Sequence, residues 1–462
     1  MEHALPTSNY RPEQAIAEIA DFIADPVRSA EFPTHILRFR NDRAAATVGL
    51  DRLDDAQWLA HFGRFEVLPD AQPEPLALRY HGHQFRVYNP DLGDGRGFLF
   101  AQLRESAATG GRLIDLGTKG SGLTPWSRTA DGRLTLKGGV REILATEMLE
   151  ALGVTTSRTF SLVETGEQLV RGDEPSPTRS AVLVRMSHGH IRIGSFQRLA
   201  YHDDTDNLRR LIDYCLKHLL ARDPGENAAL TLLEEVVHRT ADLAASYMVA
   251  GFVHGVLNSD NIAITGESFD YGPWRFTPRW EPGFTAAYFD QQGLYAFARQ
   301  AEAIHWDVAQ LAQSLVGLAE TDALVEVLRR YPAIYEQRLI ARFLWRLGLD
   351  SPDEATARTF VVAAVEALLE GRVPIDRFFF DWRKGTRDVP LYAGPSWDKA
   401  RDAVAALTAR PSTHAYWQGE MPCSMHIDEV ETIWSAIAER DDWGPLHEKV
   451  AAIRDMGKAL RP

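Results

Sequence analysis

One segment constrains the fold of this chain more than any other: His254-Gly255-Val256-Leu257-Asn258-Ser259-Asp260-Asn261, followed by Asp270-Tyr271-Gly272. It comes at the end of a long helical period at 228–252 and sets two hard oxygen ligands, Asn261 and Asp270, nine residues apart. Mg²⁺ prefers ligands of this kind. Asp260 adds a carboxylate beside Asn261, whereas the apolar Val256 cannot accept a proton. Such a loop works at the wall of a cleft. At 462 residues the chain exceeds what one hydrophobic core usually organises, so two lobes with a cleft between them are expected.

The formal charge of −14 at pH 7 argues against nucleic acid or an anionic membrane as the main partner, although a local basic cleft can still hold phosphates. Two cysteines, Cys215 and Cys423, are too few for a disulfide framework or a cysteine metal site and fit a reducing compartment. No apolar run reaches the length of a membrane span, and Met1-Glu2-His3-Ala4 has neither a basic flank nor an apolar signal core. A soluble cytoplasmic protein is expected.

Along the chain, Ile16, Ile19 and Ile23 lie on one face of a short helix expected between Pro12 and Pro26. From Leu76 to Met186, strand-like runs at Gly97 to Leu103, Phe160 to Val163 and Ala181 to Met186 alternate with glycine-rich turns and one strong helix, from about Val140 to Leu152. After Asp206 helical periods dominate, at 228–252, 303–330 and 355–370. The reading is α+β: an N-terminal extension (1–75) packing on the body, a small β-rich lobe (76–205), and a larger helical lobe (206–462) that carries the loop.

In protein kinases and small-molecule phosphotransferases, an Asp stands five residues before a metal-binding Asn, and a second metal-binding Asp follows on the next strand. Here Val256 occupies the first of those positions. The metal and phosphate machinery is kept while the base has moved, and a proton acceptor at Asp260 would meet the nucleotide at a different angle. Lys119 on a strand, followed 23 residues later by Glu142 on the one strong helix, matches the Lys–Glu pair that positions phosphates in kinases. Gly93-Asp94-Gly95-Arg96-Gly97 lets backbone N–H groups approach an anion, or is an ordinary hairpin turn. Arg185, inside an apolar run, and Arg192 require anionic partners, whether carboxylate or phosphate. His81/His83 and His188/His190 lack a third ligand of suitable spacing for zinc. The aromatic run Trp274, Trp280, Phe284, Tyr288 and Phe289 reads as loop packing or as a partner-binding surface.

The chain resembles the selenoprotein O family of protein adenylyltransferases, known in bacteria as YdiU-type proteins. The markers are Tyr80-His81-Gly82-His83-Gln84-Phe85, Leu92 to Arg96, Lys119 to Arg128, Asp131-Gly132-Arg133, Arg141-Glu142, Ser187 to Gly194, the 254–261 loop and Asp270 to Pro273. The resemblance implies a protein-kinase-like fold that binds ATP flipped, so that AMP passes to a protein Ser, Thr or Tyr hydroxyl. It further implies that Gly93, Gly95, Arg96, Lys119, Asp131, Gly132, Arg185, Arg192 and Asp270 bind the nucleotide and that Glu142 pairs with Lys119. Asn261 and Asp270 would coordinate Mg²⁺ or Mn²⁺, with Asp260 as proton acceptor. Two readings compete with this one: an ordinary phosphotransferase and an inactive nucleotide-binding scaffold. Many members carry a cysteine after the Asp-Tyr-Gly segment and a selenocysteine or cysteine near the C-terminus. Here 273–300 has none and the sequence closes Leu460-Arg461-Pro462, so redox control of that kind is not expected.

Overall fold

A computed structural model describes residues 9–172 and 174–461. Met1 to Ala4, read above for a leader, and Pro462 lie outside the described residues. The architecture is mixed α/β, with one large antiparallel sheet and many helices. The strands of the sheet follow the order Ala24–Pro26, Leu76–Leu78, Leu99–Arg104, Leu113–Lys119, Thr178–Ser187, Arg158–Leu169 and Ile36–Arg40. Two short strands join at the side: Pro12–Glu13 pairs with Leu99–Arg104, and Leu134–Thr135 with Thr178–Ser187.

The expected runs Phe160 to Val163 and Ala181 to Met186 fall within observed strands and Gly97 to Leu103 overlaps Leu99–Arg104, but the segment before residue 76 does more than pack on the body. Three of its pieces are strands of the sheet, and Ile36–Arg40 forms one edge. That pairing also breaks the expected N-terminal helix. Its ends are drawn into the sheet at Pro12–Glu13 and Ala24–Pro26, leaving a 3₁₀ turn at Ala15–Glu18 and a single α turn at Ala20–Ile23. Ile16, Ile19 and Ile23 are still buried, as their spacing requires.

Alternation along the central strands gives the sheet two apolar faces. Ile114, Leu116, Val182, Val184 and Phe160 pack with Trp58 and Phe62 of the helix Asp55–Phe62. Leu113, Leu162, Ala181 and Leu183 face the helix Leu136–Ala151. Thr135 caps that helix by accepting from Gly138 N, and Gly153, at φ +78°, turns the chain out of it. The same core continues into the helices that follow residue 193, so the sheet and helical halves share one apolar interior. A second core holds Phe343, Phe360, Phe378, Trp382 and Trp397. The expected 303–330 helix is two helices, Gln300–Ser314 and Thr321–Arg329, parted at Gly317, where φ is +91°. Among the described residues no helix is long and apolar enough to cross a membrane.

Candidate functional site

A cavity of about 360 Å³ opens between the sheet and the helical part of the chain. It is built from the ends of the central strands, Tyr80 and Gln84, the 92–97 and 126–130 loops, and the 254–261 loop with Asp270. The helix Ala228–Ala250 ends at Gly251, in the left-handed region at φ +70°, and delivers the chain through Phe252–Val253 into the loop. His254 braces it. Its backbone N–H donates to Gln300 Oε1 and its Nε2 contacts the Phe269 carbonyl at 3.0 Å, tying the loop to the segment before Asp270.

Strand register places Lys119 opposite Leu183, two residues before Arg185 on Thr178–Ser187, so Lys119 and Arg185 share a face. Lys119 Nζ lies 3.1 Å from Glu142 Oε1 and 2.9 Å from Asp270 Oδ1. Burial pushes the Asp270 carboxyl up, but Lys119, Arg185 and Arg96 outweigh it and hold the group well below the usual carboxylate range. Arg185 donates through Nε to His190 Nε2 at 3.2 Å and sits 3.7 Å from Asp270 Oδ1 through Nη1. His190 in turn contacts Asp115 through Nδ1, which fixes its ring.

Arg192 is clamped on several sides. It pairs with Asp94 Oδ1 at 3.1 Å, donates to the Asp260 carbonyl at 3.1 Å, and lies over the rings of Tyr80 and Phe269. Arg185 Nη1 and Arg192 Nε are buried and make no hydrogen bond among the described residues. Unused guanidinium donors on a cavity wall suit a polyanion. Five cations line the cavity (Arg96, Lys119, Arg128, Arg185, Arg192) against three carboxylates (Asp94, Asp260, Asp270).

Asp260 differs from Asp270. It is buried, burial pushes its carboxyl up to about 6 against the pull of Arg192, and Oδ1 has no hydrogen-bond partner among the described residues. Asn261 donates through Nδ2 to the Val256 carbonyl at 3.0 Å, which leaves its side-chain oxygen for the cavity. Asn261 and Asp270 therefore offer the hard oxygen donors that Mg²⁺ takes, and the donor set fits that ion.

Other sequence readings change. Gly93 and Gly95 do line the cavity, but what requires glycine there is protein packing: a Cβ on Gly93 would lie 2.4 Å from the Trp126 ring, and one on Gly95 2.8 Å from the Trp126 carbonyl. Asp131 and Gly132 are not among the cavity-lining residues. Asp131 is an exposed ion-pair partner of Arg171, and Gly132, at φ +70°, closes the 120–132 loop by accepting from Gly122 N. The His-x-His motifs are scaffolding: His83 N donates to Ser259 Oγ and its Nδ1 meets Gln197 Nε2, while His188 contacts the Leu113 and Leu219 carbonyls. Asp94 and Tyr80 hold Arg192, and Asn258 ties the loop to Phe85 and Tyr295, three roles that residue type alone does not reveal. Only their position inside the quoted motifs signalled them.

Residues 6–389 match the family described as Protein adenylyltransferase SelO. A Protein nucleotidyltransferase YdiU of Synechocystis is 41% identical, over 97% of this chain and 99% of the relative. The YdiU protein of Synechococcus elongatus is 42% identical over 96% and 95%, and that of Trichodesmium erythraeum 39% over 98% and 100%. With nearly its whole length aligned to these relatives, the chain belongs to the SelO family of protein adenylyltransferases.

Proposed function

We propose that this enzyme transfers AMP from ATP to Ser, Thr or Tyr hydroxyls of proteins, releasing pyrophosphate, within a kinase-like two-lobed arrangement whose cleft is the cavity described above. The observation that carries the reading is the exchange of roles along one loop: Val256 stands where a phosphotransferase keeps its base, while the buried Asp260 keeps an unpartnered carboxylate oxygen. Asp260 accepts the proton of the acceptor hydroxyl. The acceptor oxygen bonds to the α-phosphorus as the bond from that phosphorus to the bridging oxygen breaks, and the electron pair leaves on pyrophosphate. Lys119, Arg185, Arg192 and Arg96 neutralise that growing charge. Glu142 holds Lys119 in place, and the Gly93–Gly95 loop closes over the phosphates. Asp131 and Gly132 act one step back, by shaping the 120–132 loop.

Asn261 and Asp270 would hold Mg²⁺, with Mn²⁺ as the alternative ion, and the bound ion would screen phosphate charge. Two unpaired cysteines, Cys215 and Cys423, suit a cytoplasmic setting.

Incubation with ATP labelled on the α- or the γ-phosphate tests the reading. α-Label on protein is expected. γ-Label would make the chain a phosphotransferase, and ATP binding without either label would make it an inactive scaffold.

A further inference from the structure

The aromatic run after Asp270 splits in two. Trp274 and Trp280 are buried, at 1% and 5% exposure, whereas Tyr288 is 84% exposed and Phe289 46%. Packing explains the first pair and leaves the second without a structural task. The exposed pair is not isolated from the site. Tyr288 meets Phe289 edge-on at 5.1 Å, Phe289 meets Phe85 edge-on at 5.8 Å, and Phe85 lies tilted against Tyr295 at 5.0 Å. Phe85 N and Tyr295 Oη both donate to Asn258 Oδ1, and Asn258 lines the cavity. A file of four rings therefore runs from the cavity wall to solvent.

The hairpin under this file carries backbone strain. Phe85 and Arg86 form the turn between Gly82–Gln84 and Val87–Asn89, and both have positive φ, +50° and +63°. Such a turn ordinarily takes Asn-Gly, and bulky residues there cost energy that the surroundings must offset. Arg86 is held by Trp306, over which its guanidinium sits, and by Glu302 at 3.1 Å. The strained turn presents the Phe85 ring to Phe289 and its backbone N–H to the catalytic loop, while Val87 beside it is 69% exposed.

We propose that Tyr288 and Phe289, backed by Phe85, are specificity-determining residues that seat an apolar side chain flanking the acceptor hydroxyl of the polypeptide substrate. The inference rests on the adenylyl-transfer reading. Continuity with the cavity through Asn258 selects the acceptor segment as the occupant: a chain lying on this file reaches the cavity beside Asp260. Exposed aromatic rings supply contact area at little entropic cost.

The test uses the full-length protein, α-labelled ATP, and short synthetic peptides centred on Ser, Thr or Tyr and flanked on both sides by Leu or by Lys. Wild type is expected to label Leu-flanked peptides with a kcat/KM about tenfold above the Lys-flanked set, the scale of discrimination an apolar contact supplies. Tyr288→Ser with Phe289→Ser should erase that preference while the ATP-induced thermal shift stays unchanged. Equal efficiencies in wild type, or a preference that the double variant keeps, would overturn the docking role alone. No α-label on any peptide or on the protein itself would remove the adenylyl-transfer reading, and this inference with it.

Discussion

Lys119 and Glu142 are buried together, with the ammonium 3.1 Å from one carboxylate oxygen and 3.3 Å from the other. Their side chains are only 6% and 3% exposed, so the pair belongs to the interior as much as to the site. Removing one member of such a pair strands the other charge, which typically costs about 3–5 kcal/mol. Lys119→Ala is therefore expected to lower stability even without nucleotide, and adding Glu142→Leu should recover part of the loss. Chemical denaturation of wild type, both single variants and the double variant should give a coupling of about 1–3 kcal/mol. Strictly additive effects would mean that the two residues do not act as a pair.

Glu267 gives the fold a pH dependence away from the nucleotide cavity. It is buried, its Oε2 accepts from His188 N at 2.8 Å, and burial pushes its carboxyl up to about 7. The folded chain thus binds this proton more tightly than the unfolded chain does. Stability from this group is complete below about 4.5, the ordinary value, and is lost as pH rises toward about 7. That span corresponds to roughly 3 kcal/mol. Glu267→Gln keeps an acceptor for His188 and cannot ionise, so its Tm should match wild type near pH 4.5 and exceed it at pH 8. A Tm difference that does not change with pH would exclude this account.

Gly82 tests how tightly Asp260 is placed. A Cβ there would lie 2.9 Å from Asp260 Cβ and 3.0 Å from Oδ1, closer than such atoms tolerate, so the Asp260 side chain must shift to admit it. Gly82→Ala should displace the carboxylate without altering the phosphate contacts. A misplacement of about 1 Å costs on the order of 10²-fold in rate. Transfer measured with α-labelled ATP should fall by about that much with ATP binding intact, and an unchanged rate would show that Asp260 is not held for chemistry.

The parts of the site that could be read in the chain are those whose partners follow from residue type and local spacing. Asn261 and Asp270 lie on a loop and the segment after it, and Lys119 and Glu142 on a strand and the next strong helix. What could not be read depends on which distant residue faces which. Arg192 is answered by Asp94, 98 positions earlier, and His190, which Arg185 contacts, is fixed by Asp115, 75 positions earlier. The pairing of Ile36–Arg40 with Arg158–Leu169 is equally non-local, so the N-terminal segment read as a covering rather than as sheet. Gly93 lines the cavity, but the sequence marks only where a side chain is forbidden, and the fold alone reveals that the neighbour is Trp126.

Asp260 and Val256 separate a moved base from a lost one. Both line the cavity, four residues apart, but only Asp260 carries an unpartnered carboxylate oxygen. If Asp260 takes the acceptor's proton, Asp260→Ala should lower AMP transfer by about 10² to 10⁴. ATP binding, followed by thermal shift, should persist, because Lys119, Arg185 and Arg192 are untouched. Val256→Asp restores a carboxylate at the position a phosphotransferase uses, yet in the proposed orientation the γ-phosphate is not presented to the acceptor. The Asp260→Ala/Val256→Asp double variant should therefore transfer neither AMP nor phosphate. Efficient γ-label transfer by wild type or by Val256→Asp alone would mean that ATP lies in the ordinary kinase orientation, and Asp260 would then have no base role to fill.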